Sequence, residues 1–222
     1  MYLRAPFLQI LETFFSDEQW LSWIDKLAED DFVVIDDFIS NEQLLQLRAF
    51  LLEKWQNDAF NHAKIGSNIN DTLASDIRGD YTFWLNEKRD EQLNVFFNLI
   101  RESIANFNRY CFLSLAGFEF HLAHYPPNTF YKRHFDRFKD KSNRILSFVI
   151  YLNENWVEEQ GGQLRMYNVN GHEHLDVEPI AKRVVIFKSD AVEHEVLPTT
   201  ASRYSFTGWL LYQPSTVGSV IV

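Results

Sequence analysis

The apolar residues of this chain change their spacing near Gly117, and few features restrict a fold more tightly. Before that point they recur at helical intervals. Trp20, Trp23, Ile24 and Leu27 line one face of a candidate helix over residues 16–29. Leu44, Leu45, Leu47, Phe50, Leu51 and Trp55 do the same after Ser40, which stands ahead of Gln43 in a capping-box pattern. Leu93, Phe96, Phe97, Ile100 and Ile104 mark a further helix over residues 90–107. Among these helices, the β-branched run at residues 31–38 reads as a buried strand. After Gly117 the period is two: Phe118, Phe120, Leu122 and His124 alternate with Glu119, His121, Ala123 and Tyr125. Short strand candidates follow at residues 145–152, 163–167, 174–177, 183–187, 194–196 and 204–212, most of them separated by Gly, Pro, Asn or Asp. Helices followed by many short strands predict an α+β fold with a jelly-roll (double-stranded β-helix) core and supporting N-terminal helices. The expected organisation is one domain over residues 1–222, with helical support in 1–115 and the jelly roll in 116–214. The tail after Pro214 reads as an edge strand or a frayed end.

A jelly roll needs apolar material on both faces of its sheets, and 46% of the residues are hydrophobic and 16% aromatic. The net charge of −10 disfavours a protein built to neutralise a phosphate backbone, so nucleic acid is not the expected partner. Cys111 is the one cysteine, which rules out an intramolecular disulfide framework and a cysteine zinc knuckle. It reads as a small core residue. No run of about 18 or more apolar residues occurs. The first residues also lack the continuous apolar region of a signal peptide. A cytoplasmic protein without a membrane segment is expected.

The chemistry concentrates between Tyr125 and Trp209. On a strand, His134 and Asp136 would project from the same face. His194 lies on a later strand candidate. Two imidazoles and one carboxylate make the facial triad that leaves positions open on a non-haem Fe(II). Such a site still attracts an anionic chelator, for instance a dicarboxylic oxo acid such as 2-oxoglutarate. The far carboxylate of that acid needs a cation, and Arg203 can hold it bidentately. The plainer alternatives are a structural histidine and, for Arg203, a surface ion pair. Several neighbours read as ordinary structure. His172 and His174, near Asp176, follow the turn signal Asn170-Gly171 and suggest a solvated hairpin rather than a second metal site. Lys132, Arg133, Arg137, Lys139, Lys141 and Arg144 suggest a solvated basic loop. Gly161-Gly162 suggests a tight turn, since no Lys-Ser/Thr follows. The polar, turn-rich segment that begins at residue 57 is of a length uncommon in compact domains unless it is functional.

Taken in order, the motifs carry a resemblance. They are Val33-Val34-Ile35-Asp36-Asp37-Phe38, Asp76-Ile77-Arg78-Gly79-Asp80 with Trp84, and Tyr125-Pro126-Pro127-Asn128. Then come Tyr131-x-x-His134-x-Asp136, Tyr151-Leu152-Asn153 with Trp156, and Gly161-Gly162-Gln163-Leu164-Arg165. His194-Glu195-Val196-x-Pro198, Arg203-Tyr204 and Trp209 close the series. Over residues 31–214 the chain resembles the Fe(II)/2-oxoglutarate-dependent oxygenases of the prolyl 4-hydroxylase superfamily, above all the hypoxia-inducible-factor prolyl hydroxylases and their bacterial relatives.

That resemblance implies iron bound by His134, Asp136 and His194. It implies Arg203 on the distal carboxylate of 2-oxoglutarate, with the Tyr151 hydroxyl as a second donor. Tyr125, Leu164, Thr207 and Trp209 would line the co-substrate pocket, and Tyr131 would stand near the metal. The Asp136 carboxylate favours hydroxylation over halogenation, since halogenating relatives leave that place to chloride. Arg78, Asp80, Trp84 and Tyr131 would contact a proline-containing protein substrate, because the resembled enzymes carry a substrate loop there. The implied reaction hydroxylates a prolyl residue using O2 while 2-oxoglutarate is decarboxylated to succinate. Ascorbate binding belongs to the same set of expectations. Some bacterial relatives act on elongation factor Tu, which is the first candidate partner, with ribosomal proteins next. The alternatives are the same chemistry on a small molecule or nucleic acid, and a metal-binding sensor that catalyses nothing. A hydrolytic zinc site fits less well, since three histidines, or two with a glutamate, are its usual ligands.

Overall fold

The computed structural model describes residues 13–63, 76–137, 143–170 and 172–212. Helix α1 (Asp17–Asp30) follows strand-like Ser16, whose side chain accepts from Gln19 N while the Gln19 side chain accepts from Ser16 N. Strand β1 (Phe32–Ile35) comes next. Helix α2 (Asn41–Gln56) opens on the same reciprocal box, between Ser40 and Gln43. Strand β2 (Asn61–His62) lies within the segment read as a substrate loop, and β3 (Tyr81–Trp84) begins in it and ends one residue beyond. Helix α3 (Asn94–Cys111) starts later than its apolar spacing predicts. The Asp90 carboxylate accepts from Asn86 N at 2.8 Å and from Arg89, closing a turn, and residues Glu91–Leu93 form a short 3-10 helix before α3 begins.

The remaining strands are β4 (Leu115–Tyr125), β5 (Tyr131–His134), β6 (Arg144–Tyr151), β7 (Leu164–Val169), β8 (His172–Val177), β9 (Val184–Lys188), β10 (His194–Val196) and β11 (Arg203–Tyr212). They form a seven-stranded sheet in the order β1-β9-β6-β11-β4-β3-β2 and a four-stranded sheet in the order β5-β10-β7-β8. This is the expected α+β jelly roll. The segment ahead of β4 supplies strands as well as helices, since β1 pairs with β9 and β3 with β4.

Both faces of the larger sheet are covered. Trp20, Leu47, Phe50, Phe96 and Phe107 from the helices pack on Phe120, Leu122, Phe148, Phe206 and Leu210. The alternate residues face the smaller sheet, where Ala123, Tyr125, Val149, Tyr151 and Phe187 meet Leu164, Met166 and Val196. Cys111 is partly buried against the helix-side core, and burial raises its pKa, as suits an inert thiol. Glu102 of α3 ties down the start of the described chain by accepting from Phe14 N at 2.7 Å, Phe15 N at 3.3 Å and Trp20 Nε1 at 3.0 Å. Among the described residues no helix is long and apolar enough to cross a membrane. The tail after Pro214, Lys139, Lys141 and the centre of the 57–83 segment lie outside the described residues.

Candidate active site

The register of the larger sheet decides which side chains enter the space between the sheets. Arg203 stands opposite Tyr125, and Ser205 lies between Ala123 and Tyr151. In the next inward-facing row Trp84, His121, Thr207 and Val149 stand side by side, followed by Glu119, Trp209 and Ser147. Apart from Tyr151, Glu119 and Ser147, these rows line a cavity of about 530 Å³, and His134, Asp136 and His194 line it too.

Strands β5 and β10 pair with His194 opposite His134, which brings the two imidazole rings to 4.3 Å. Asp136 joins them by a different route from the one the spacing suggests. Strand β5 ends at His134, so Asp136 does not share a strand face with it but occupies the bend that follows. Its Oδ1 lies 3.5 Å from His134 Nε2, and its Oδ2 lies 3.8 Å from His194 Nε2. The bend is held in place by Ser147 Oγ, which donates to Asp136 Oδ2 at 2.7 Å, and by Arg137 N, which donates to Ser189 O at 3.1 Å.

The protonation pattern follows from the partners. His134 Nδ1 is 2.7 Å from Lys132 O, and His194 Nδ1 is 3.1 Å from Val192 O. A carbonyl only accepts, so both Nδ1 atoms carry a proton, which leaves Nε2, the atom facing Asp136, as the one available to a metal. Burial, with His134 adding to it, lowers the His194 pKa to about 4 and keeps the ring neutral. Burial pushes the Asp136 carboxyl upward, but the positive charge that His194 and His134 carry once protonated, together with the Ser147 hydrogen bond, outweighs it and holds the group below the usual carboxylate range. Among the described residues this is the one cluster of three such ligands, with its atoms within 4.8 Å of one another. Two imidazoles and one carboxylate fit a ferrous ion.

Arg203 is 1% exposed and has no carboxylate partner among the described residues. Its Nε donates to Gly162 O at 2.8 Å, and its Cζ lies 5.0 Å from the rings of both Tyr125 and Tyr151. The surface ion pair considered for it is thereby excluded. Burial raises the Tyr151 pKa and keeps its hydroxyl protonated, with Arg203 opposing the shift, and no hydrogen bond of good geometry reaches that hydroxyl among the described residues. A buried guanidinium and an unsatisfied hydroxyl side by side suit an anion with two oxygens. Gly161-Gly162 is the expected tight turn, with φ of 69° and 70°. It also presents Gly162 O to Arg203, and a Cβ on Gly162 would come within 3.1 Å of Arg203 Cδ.

At the other end, Arg78 binds Asp80 through two hydrogen bonds of 2.7 and 2.6 Å and lies 4.2 Å over the Tyr131 ring. Tyr131 in turn stacks on His134 at 3.7 Å. Trp84 is half-exposed beside His121 and Trp209. Leu164 and Thr207 also line the cavity. His172 and His174 are exposed on the β7–β8 hairpin, and no described residue completes a metal site with them. In the basic stretch, Arg133 pairs with Glu193, Arg137 with Asp190 and Arg144 with Glu119.

Sequence reasoning missed Thr82, His121 and Ser205, which line the cavity, and Ser147 and Ser189, which lie behind Asp136. The available signal was Ser147, a lone hydroxyl in an apolar strand buried on both faces.

Residues 120–211 match the model of the 2OG-Fe(II) oxygenase superfamily. The structure of a prolyl-4-hydroxylase from Pseudomonas putida superposes with a TM-score of 0.78 at 34% identity, covering 87% of this chain and 99% of that one. The chain belongs to the 2OG-Fe(II) oxygenase superfamily. Enzymes of this superfamily use Fe(II), 2-oxoglutarate and O2. A Trichoplax adhaerens prolyl hydroxylase, solved with a hypoxia-inducible factor peptide fragment, superposes with a TM-score of 0.79 at 26% identity over 87% of this chain and 89% of that one. Mouse Egl nine homolog 1 is 30% identical over 185 residues, which are 79% of this chain and 45% of that protein. The chain thus spans about half the length of the Egl nine relatives it matches.

Proposed function

We propose that this oxygenase hydroxylates a prolyl residue in a protein substrate, with decarboxylation of 2-oxoglutarate to succinate. The observation that carries the reading is the buried Arg203, with no acidic partner among the described residues, at one end of a cavity whose wall bears the His134–Asp136–His194 cluster. Similarity to prolyl hydroxylases supports the choice of substrate.

His134, Asp136 and His194 hold iron, which when bound supplies the oxidation of an unactivated C–H bond. Arg203 and Tyr151 bind the distal carboxylate of 2-oxoglutarate, and Tyr125, Leu164, Thr207 and Trp209 enclose the rest of it. The cavity walls exclude water from the reacting carbon. Trp84 and Tyr131 offer rings to the target residue, while Arg78 and Asp80 fix the segment leading to Trp84. Elongation factor Tu is the first candidate substrate and a ribosomal protein the second. Ion pairing of the basic stretch argues against nucleic acid. Ascorbate belongs to this reading as the reductant that keeps the metal ferrous. The cytoplasm is the compartment in which Cys111 stays a thiol and 2-oxoglutarate is supplied.

The test is aerobic incubation with Fe(II), 2-oxoglutarate, ascorbate and either purified elongation factor Tu or a whole lysate, followed by peptide mass spectrometry. A proline gaining one oxygen atom only when 2-oxoglutarate is present supports the reading. Succinate formation with no modified protein moves the substrate to a small molecule.

A further inference from the structure

Asp136 lies beyond the end of its strand, so something other than strand pairing must orient its carboxylate. Ser147, 1% exposed, donates to Asp136 Oδ2 at 2.7 Å. Ser189, fully buried, lies 2.8 Å from Ser147 Oγ. The direction of the second bond follows from proton counting. A carboxylate accepts only, so the single Ser147 proton goes to Asp136, and Ser189 must donate to Ser147. The two hydroxyls form a one-way chain in which each bond strengthens the next. Its effect on Asp136 is asymmetric. Oδ2 carries the serine bond and lies 3.8 Å from His194 Nε2, while Oδ1 faces His134 Nε2 at 3.5 Å.

We infer that Ser147 and Ser189 are positioning residues for the metal. They hold the Asp136 carboxylate in the orientation in which it faces both His134 Nε2 and His194 Nε2, so that it is set to join the two imidazoles in binding iron. Partners behind metal ligands commonly change affinity by about 10–100-fold. This inference rests on the superfamily's iron site and not on the identity of the substrate.

The experiment is anaerobic Fe(II) titration of the full chain without co-substrate, alongside thermal melting. In Ser147→Ala the Fe(II) Kd rises roughly tenfold or more. Ser147→Thr restores it, and Ser189→Ala shows a smaller rise of a few-fold. A role in packing alone would lower Tm and leave the Kd of the folded protein unchanged. An unchanged Kd in folded Ser147→Ala overturns the inference, and so does a Ser147→Thr variant that binds as poorly as the alanine variant. Should Ser147→Ala not fold, Ser189→Ala decides, and an unchanged Kd there counts against the relay. If wild type binds Fe(II) but no protein or peptide is hydroxylated, the substrate proposal fails while the relay stands.

Discussion

Replacing Arg203 with methionine keeps most of the side-chain volume and removes the charge, which separates ligand binding from folding. In the ligand-free protein this guanidinium is buried against two tyrosine rings and a carbonyl, with no described carboxylate to balance it. Its removal relieves an unpaired buried charge and leaves Gly162 O unsatisfied, effects of similar size and opposite sign. The apo variant is therefore expected to melt close to wild type. Binding is affected very differently. Truncating one partner of a buried, hydrogen-bonded charge pair costs about 2–5 kcal/mol. That corresponds to a rise of roughly 30-fold to several thousand-fold in the 2-oxoglutarate Kd or KM. The assay is thermal melting with Mn(II), with and without 2-oxoglutarate. At a hundredfold excess over its Kd the ligand stabilises wild type by about 2.7 kcal/mol. For a chain of this size that is a shift of roughly 5–10 °C. At the same concentration the variant should keep about 0.9 kcal/mol of that stabilisation if its Kd is 30-fold weaker, a third of the wild-type shift, and almost none if it is a thousandfold weaker. A variant that keeps the full ligand-induced shift, or an unchanged KM, would refute the assignment of Arg203.

Asp136→Ala should abolish 2-oxoglutarate turnover while far-ultraviolet circular dichroism stays unchanged, and normal turnover in a folded variant would remove Asp136 from the ligand set. Glu102→Ala strips the acceptor from Phe14 N, Phe15 N and Trp20 Nε1, and should destabilise the protein by about 1–3 kcal/mol in denaturant melts without altering the 2-oxoglutarate KM. Burial lowers the pKa of His121 to about 3, with Arg78 adding to it, and that of His124 to about 4. Because these folded-state values lie below the ordinary one, the unfolded chain takes up protons first as pH falls. Stability is then complete above about pH 6.5 and declines toward pH 4, by about 1.4 kcal/mol per pH unit for each histidine. Denaturant melts at pH 7 and pH 5 check this, and replacing His124 with leucine should make the dependence shallower.

What was legible in the sequence was what local interactions specify. The helices announce themselves through apolar spacing, and the Ser40–Gln43 cap lies within a single turn. Strand β4 alternates plainly in its second half, whereas β6 is a short apolar run and β11 alternates only in part. Strand β5 does not, because Tyr131-Lys132-Arg133-His134 has no apolar alternation and owes its extended form to pairing with β10 and to backbone contact with the segment before β3. Lys132 N donates to Ile77 O, and Gly79 N donates to Phe130 O. The same remoteness hides Ser147 and Ser189, which meet Asp136 only through the register of β6 with β9 and the fold of the bend after His134. Motif order pointed to Arg203, yet that it is buried without an acidic partner is a fact of the packed sheets.

The most direct test of the central claim is the fate of oxygen. With isotopically heavy O2 in ordinary water, the account predicts one heavy atom in the new prolyl hydroxyl and one in succinate, and neither product from Asp136→Ala. A hydroxyl whose oxygen comes from water, or succinate without the label, would contradict it.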